Sequence, residues 1–300
     1  MEDKKTAYEI VAQSIITSLE AGNIPAWRKE WATTGVYPTS LSSKKQYRGT
    51  NQMLLMFSTM ANGYTSKWWG TYKQIEALGG TIIKGSKATP IVLWKPYETT
   101  DKDGNAKKGA MMRYFSVFCA DQAEWDGGMP ETEKPEARTE ARKIEEAQAI
   151  LDAYFAREGA PSLAYGGDRA YYSPSKDAIQ LPEQTAFTND EAFYSTAFHE
   201  AGHSTGHKSR LSREGITEAH YFGDAVYSEE ELVAELTATF LCAETGIAPS
   251  TIENSTAYIA GWLKVLKSDP KVLVKSASRA QKASDYILGI TPPAKDESEE

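Results

Sequence analysis

All four histidines of the 300-residue chain, His199, His203, His207 and His220, fall within 22 consecutive residues. Imidazole is the commonest metal ligand among side chains and the one that titrates nearest neutrality, so such clustering points to chemistry. The run His199-Glu200-Ala201-Gly202-His203 sets two of them four residues apart. On a helix that spacing puts both rings on one face, where they can share a divalent ion at about 2.0–2.1 Å. Glu200, one residue from His199, points near the ion without binding it and can take a proton from the water such an ion activates. As a bare five-residue string the pattern also arises by chance, so the reading depends on a third ligand.

Downstream, Ser228-Glu229-Glu230-Glu231-Leu232-Val233-Ala234-Glu235 opens a second helix rich in acid. Its apolar face, Leu232, Val233, Leu236 and Phe240, predicts packing against the first helix, and small Ala234 would let the two backbones approach. Glu231 is the third ligand on this reading, with Glu229, Glu235 and His207 as the alternatives. Glu235, four residues past Glu231, is expected to accept a hydrogen bond from a histidine Nδ1 and so orient that ring. Glu229 and Glu230 read as solvated charges at a helix N-terminus, where the macrodipole favours them. His207 would have to reach from the helix end, and the longer three-histidine pattern needs a histidine where Ser209 stands. His220 reads as a surface loop residue. Tyr227, just ahead of the acidic helix, could hydrogen-bond a developing oxyanion. Two histidines, a ligating glutamate and a free glutamate make a site of the zincin kind. Zn²⁺ is the expected ion, and the same ligands accept Mn²⁺ or Co²⁺.

The rest of the chain must position these groups. A composition of 41% hydrophobic and 25% charged residues excludes disorder for most of it. No apolar run approaches the roughly 18 residues that a membrane span needs, so no membrane partner is expected. The charged, amphipathic start MEDKKTAYEIVAQ lacks a signal core, and Cys119 and Cys242 sit in apolar contexts suited to reduced thiols, so the expected compartment is the cytoplasm. Residues 126–142, DGGMPETEKPEARTEAR, hold almost no apolar side chain and read as a linker. It separates a first domain, 1–125, from a second, 143–290, with an acidic tail over 291–300. Residues 1–125 hold 16 Lys and Arg against 11 Asp and Glu, a net of +5; the remainder holds 17 against 30, a net of −13. The overall −8 therefore hides a mildly basic half, as expected of a half that meets a polyanion.

In the first domain, periodicity predicts helices over 7–21, 49–60 and 71–78. Strands follow in TIIKG, TPIVLWKPYET and RYFSVFCA, the last two joined by a hairpin tip at DKDGNAKKG. The second domain reads as a helix over 144–156, a hairpin in AYYSPSKDAIQLP, and helices over 190–205, 228–244, 255–267 and 270–287. The fold class is α+β: helices with a small antiparallel sheet, then a mainly helical metallopeptidase-like domain.

Six of the seven tryptophans, Trp27, Trp31, Trp68, Trp69, Trp94 and Trp125, lie in the first 125 residues. Aromatic rings alternate with cations there, as in Trp27-Arg28, Lys44-Lys45-Gln46-Tyr47-Arg48 and Lys67-Trp68-Trp69. Flat rings in a cationic groove are what single-strand binding requires, at about 1–3 kcal/mol per stacked base. Any one tryptophan could equally fill a core. Helix-turn-helix and zinc-finger patterns are absent, so duplex readout is not expected.

Tyr47-Arg48-Gly49-Thr50-Asn51 with Leu54-Leu55, Trp68, Thr71, Gln74, Gly79-Gly80, Lys84-Gly85 and Ile91-Val92-Leu93-Trp94-Lys95 resembles the N-terminal domain of the ArdC antirestriction family, a domain shared with plasmid TraC-type primases. Phe193 to His207, followed by Glu230 to Glu235, resembles the zincin-like domain of the same family. The resemblance implies a protein of conjugative plasmids that binds single-stranded DNA and protects incoming DNA from host restriction. It carries the metal over to His199, His203 and Glu231, with Glu200 as the catalytic-type glutamate. The expected strand-contacting set gains Asn51, Lys84 and Lys87. Two other readings stand beside it: an active metalloprotease whose first half recruits a host protein substrate, and a binding protein whose metal site is structural and silent.

Overall fold

The computed structural model describes residues 37–100, 106–128, 139–217, 225–247, 266–269 and 271–291, with Gln13, Ile16, Thr17, Glu20 and Leu263. Most of the helices expected over 7–21 and 255–267 therefore lies outside the described residues, as do Trp27, Arg28, His220, much of the linker and almost all of the tail. The chain divides into two compact units, one holding residues 37–128 and the other 139–291.

The first unit is built on strands β1 (Thr39–Ser40), β2 (Trp68–Gly70), β4 (Thr89–Thr100) and β5 (Ala106–Cys119). They lie in the order β1-β2-β5-β4, with β1 parallel to β2 and the other neighbours antiparallel. Helix α1 (Gly49–Asn62) packs on one face, bringing Leu55 against Trp69, Ile91, Val117 and Cys119. Helix α2 (Tyr72–Ala77) starts at a reciprocal cap: Gln74 N donates to Thr71 Oγ1 at 3.4 Å and Thr71 N to Gln74 Oε1 at 2.8 Å. A separate ribbon pairs β3 (Gly80–Ile82) with β6 (Ala123–Trp125).

Strand β4 is an edge strand, and its sequence says why it can be. Val92 turns its N–H and C=O outward, where both bond the side-chain amide of Asn51 at 2.7 Å. Pro90 and Pro96 share Val92's parity, so their missing N–H groups also fall on the outward side, the one place a sheet tolerates them. The hairpin is longer than expected. β5 begins at Ala106 and not near Arg113, because pairing with β4 from Thr100↔Ala106 onward satisfies a polar stretch that no local pattern marks as strand. The two- and three-residue strands β1, β2 and β6 were likewise too short to show a period.

In the second unit, α3 (Glu140–Phe155) begins inside the expected linker. Thr139 caps it by accepting from Arg142 N at 3.3 Å, and Lys143–Glu140 and Arg142–Glu146 pairs stabilise its first turns. Strands β7 (Ser162–Tyr165), β8 (Tyr171–Ser173) and β9 (Ala178–Leu181) form a sheet in the order β7-β9-β8. The expected hairpin is β8–β9; β7 adds to it in parallel. Helix α4 (Asp190–Ser204), the short α5 (Glu214–Thr217), α6 (Ala225–Thr245) and α7 (Lys271–Leu288) follow. The core gathers Leu151, Tyr154, Ile179, Leu181, Phe193, Phe198, Leu241 and Ile287. Helix α4 runs through it: every residue from Phe193 to Ser204 except Thr196 is buried. A helix buried on all sides positions whatever it carries with little freedom.

Candidate metal centre

Asn189 starts α4 by accepting from Ala192 N at 2.8 Å, and three turns later the helix delivers His199, Glu200 and His203 to one buried place. Helix α6 crosses close by, because neither helix carries bulk at the crossing. A methyl group on Gly202 would meet Thr237 Cβ at 3.3 Å and the Ala234 backbone at 3.4 Å. That approach brings Glu231 to the histidines. Its two carboxylate oxygens lie 3.6 Å from His199 Nε2 and 3.6 Å from His203 Nε2, and the two Nε2 atoms lie 3.0 Å apart. Among the described residues these three side chains form the one group whose ligand atoms all fall within 4.8 Å of one another. Two imidazole nitrogens and a carboxylate converging on one point are a donor set that fits a divalent transition ion and little else.

The three side chains shift one another's proton affinities. Burial by itself pulls His203 down, but the Glu231 and Glu230 carboxylates reverse the effect and hold it well above the usual histidine value. Burial likewise pulls His199 down, and Glu231 raises it overall. Glu231 is pulled up by burial, yet the His203 and His199 rings hold it far below the usual carboxylate range.

Glu230 corrects the expectation of a solvated helix N-terminus. It is 5% exposed. Its carboxylate accepts from Arg213 Nε at 2.9 Å and Arg213 Nη2 at 2.6 Å, and faces His203 Nδ1 at 3.4 Å. Glu229 instead pairs with Arg279 of α7. Glu235 reaches His199 through its charge and not through a hydrogen bond to Nδ1. His207, the other alternative ligand, turns away: its Nδ1 lies 2.8 Å from Ser209 Oγ and 3.7 Å from Asp177. Tyr227 lies in the first turn of α6, and its side chain is outside the described residues. Arg213 had no signal in the sequence, since nothing local marks an arginine between two helices as a partner of an acid 17 residues on.

The expected strand-contacting residues separate into two groups. Trp69 is 0% exposed, locked among Leu55, Ile91, Val117 and Cys119 with Tyr64 against its ring edge, so it offers no face to a base. Asn51 is spent on the Val92 backbone, and half-buried Tyr47 packs on the same core. Trp68 is 9% exposed, and Lys44 and Lys67 stand over its ring at 4.4 and 4.9 Å. Lys44, Lys45, Arg48, Lys84 and Lys87 are exposed.

A helix-borne His-Glu-x-x-His pair met by a glutamate from a neighbouring helix, in a chain that also holds a separate α+β unit, defines a two-part protein of the zincin-like class. Comparison with known proteins agrees for each unit. The family model described as a zincin-like metallopeptidase matches residues 149–279, and that of the N-terminal domain of the anti-restriction factor ArdC matches residues 5–118. The metal-free crystal structure of the antirestriction ArdC protein from plasmid R388 is 35% identical, with a TM-score of 0.74, covering 93% of this chain and 96% of that one. Its Mn(II)-bound structure is 33% identical, with a TM-score of 0.73, covering 95% and 98%. An uncharacterized protein, y4eC, of Sinorhizobium fredii is 34% identical over 93% of this chain and 91% of its own length. A DNA primase TraC of Escherichia coli is 36% identical over 97% of this chain, which spans 20% of that relative's length; for a second TraC the share is 28%. The chain belongs to the ArdC family of antirestriction proteins.

Proposed function

We propose that this chain protects incoming conjugative DNA from restriction in the recipient cytoplasm, its first unit holding single-stranded DNA and its second unit holding a divalent ion. The observation that carries the metal half is the convergence of His199, His203 and Glu231 on one buried point. The R388 relative with Mn(II) supports a divalent ion; Zn²⁺, Mn²⁺ and Co²⁺ all suit the donors. For the DNA half, the support is the family together with exposed Lys44, Lys45, Arg48, Lys84 and Lys87 and the Lys44–Trp68–Lys67 cluster. The domain limits follow the same division: strand binding up to about residue 125 and the metal unit from 143 to 290.

A bound ion would supply Lewis acidity and an acidified water. The chain's own part is then to orient and to move a proton. Glu200, buried in the turn between the two histidines, would accept it, and Tyr227 would steady negative charge on a peptide carbonyl.

Glu200→Ala separates the competing readings, because it removes the proton acceptor and leaves the ligands. Metal content should persist and any peptide hydrolysis should disappear. If antirestriction in a conjugation assay also disappears, hydrolysis of a host protein is the mechanism. If it survives, the metal site serves structure or binding. A salt-dependent titration of the full chain with single- and double-stranded oligonucleotides tests the other half: tight, salt-sensitive, strand-selective binding supports it, and none overturns it.

A further inference from the structure

The arginine-bound Glu230 has no place in the chemistry described so far, yet it is among the most buried charges of the second unit. Arg213 is what makes its burial tolerable. The guanidinium grips both oxygens of Glu230 and, on its other side, donates to Gly202 O at 2.8 Å, Thr205 Oγ1 at 2.7 Å and His203 O at 3.4 Å. The Gly202 and His203 carbonyls belong to the last turn of α4, where Thr205 Oγ1 donates to Gly202 O at 2.7 Å and Gly206 N to His203 O at 2.9 Å, and Arg213 completes the cap. Arg213 therefore closes the end of the helix that carries the histidines and delivers a carboxylate to its flank in the same act. Gly206 lets it in, since a methyl group there would stand 2.9 Å from Arg213 Nη2.

The carboxylate so delivered faces His203 on the side away from the ion site. Nε2 of His203 points at Glu231 and at His199 Nε2, whereas Nδ1 is buried, makes no hydrogen bond, and faces Glu230 Oε1 at 3.4 Å. A ring held at Nδ1 by a carboxylate keeps its proton there and presents a bare, more basic Nε2 to a cation. The pair lies within ion-pair range, and a small reorientation of the ring or carboxylate that aligns the N–H would complete that bond. His199 Nδ1 is likewise buried without a hydrogen-bond partner, but the ion-pair contact of that ring, with Glu231, is through Nε2.

We propose that Glu230, held by Arg213, is the positioning residue that orients His203 for metal binding, and that through it the ion's affinity depends on the segment joining α4 to α5. This rests on the reading of His199, His203 and Glu231 as ligands. It makes the two histidines unequal, since a carboxylate faces Nδ1 of His203 and the carboxylate paired with His199 faces its Nε2.

The test compares the full chain with Glu230→Gln, which keeps the shape and removes the charge. Zn²⁺ affinity is measured against a competing chelator, and ¹⁵N-histidine spectra are recorded on the zinc-loaded protein. The proposal expects affinity about 10–100-fold weaker in the variant. It also expects a downfield, exchange-protected His203 Nδ1–H in the wild type that moves upfield in the variant. A purely structural Glu230 would lower the melting temperature of the metal-free protein and leave affinity and that resonance unchanged, which overturns the proposal. If the wild type takes up no Zn²⁺, Mn²⁺ or Co²⁺, the ligand reading fails and this inference with it. Should the variant not fold, the wild-type spectrum decides: a protected Nδ1–H on His203 supports the proposal, and coordination through Nδ1 or a freely exchanging Nδ1–H overturns it.

Discussion

The two units handle charge in opposite ways. In the second, His199, His203, Glu230, Glu231 and Arg213 are all buried, each against an opposite charge or a polar group. In the first, the cations stand at the surface, and what is buried is apolar or uncharged. Buried charges are tolerated only when each has a partner in place, so removing one member disturbs all the others. Exposed charges are solvated independently, and each can be lost at small cost. The metal unit should accordingly respond to single substitutions steeply and the basic unit gradually.

Breaking the ligand set gives the largest effect. Glu231→Ala leaves two protein ligands, so metal affinity measured by chelator competition should fall by orders of magnitude, while Glu200→Ala should leave it nearly intact. An unchanged stoichiometry in Glu231→Ala would move the third ligand elsewhere. Next in size is Trp69→Ala, which empties a fully buried site and should cost about 3–5 kcal/mol in a denaturant titration. A smaller loss would mean that the ring is less enclosed than its contacts imply. Gly202→Ala should push α6 away from α4, costing about 1–3 kcal/mol and weakening metal binding along with stability.

A pH series sharpens the same contrast. His199 and His203 are both held above the ordinary histidine value, and an ion must displace their protons. Affinity should therefore rise with pH by about tenfold per unit for each proton displaced, then level off above the raised values. An affinity that is flat from pH 6 to 8 would contradict the shift. Last comes the basic surface. Lys44→Ala or Lys67→Ala should weaken single-strand binding several-fold at most and reduce the salt slope by about 0.7 each, with the melting temperature barely moved. A collapse in binding on one such change would mean a built site and not a distributed surface.

Much of the centre was legible in the sequence because its signals are local. A spacing of four on a helix is a statement about one face, and the structure brings His199 and His203 together on that face. The acidic helix was legible for a related reason: its apolar face implied a neighbour, and Ala234 implied a close one, which is how Glu231 could be named. The same local logic misplaced Glu230, whose position at the start of an acid run looks solvated until Arg213 arrives from another segment. It also treated Trp68 and Trp69 alike, although neighbours on a strand point to opposite faces and only one of them enters the core beneath α1.

The elements with a period, the two-part division and the side chains that converge with Glu231 could thus be read from the chain alone, because helix spacing and composition act over a few residues. Only the tertiary structure decided which acid serves which histidine, how far the β4–β5 arm extends, where α3 begins and which aromatic rings are enclosed. Those depend on pairing between segments far apart in the chain, where burial turns a solvated charge into one that must find a partner.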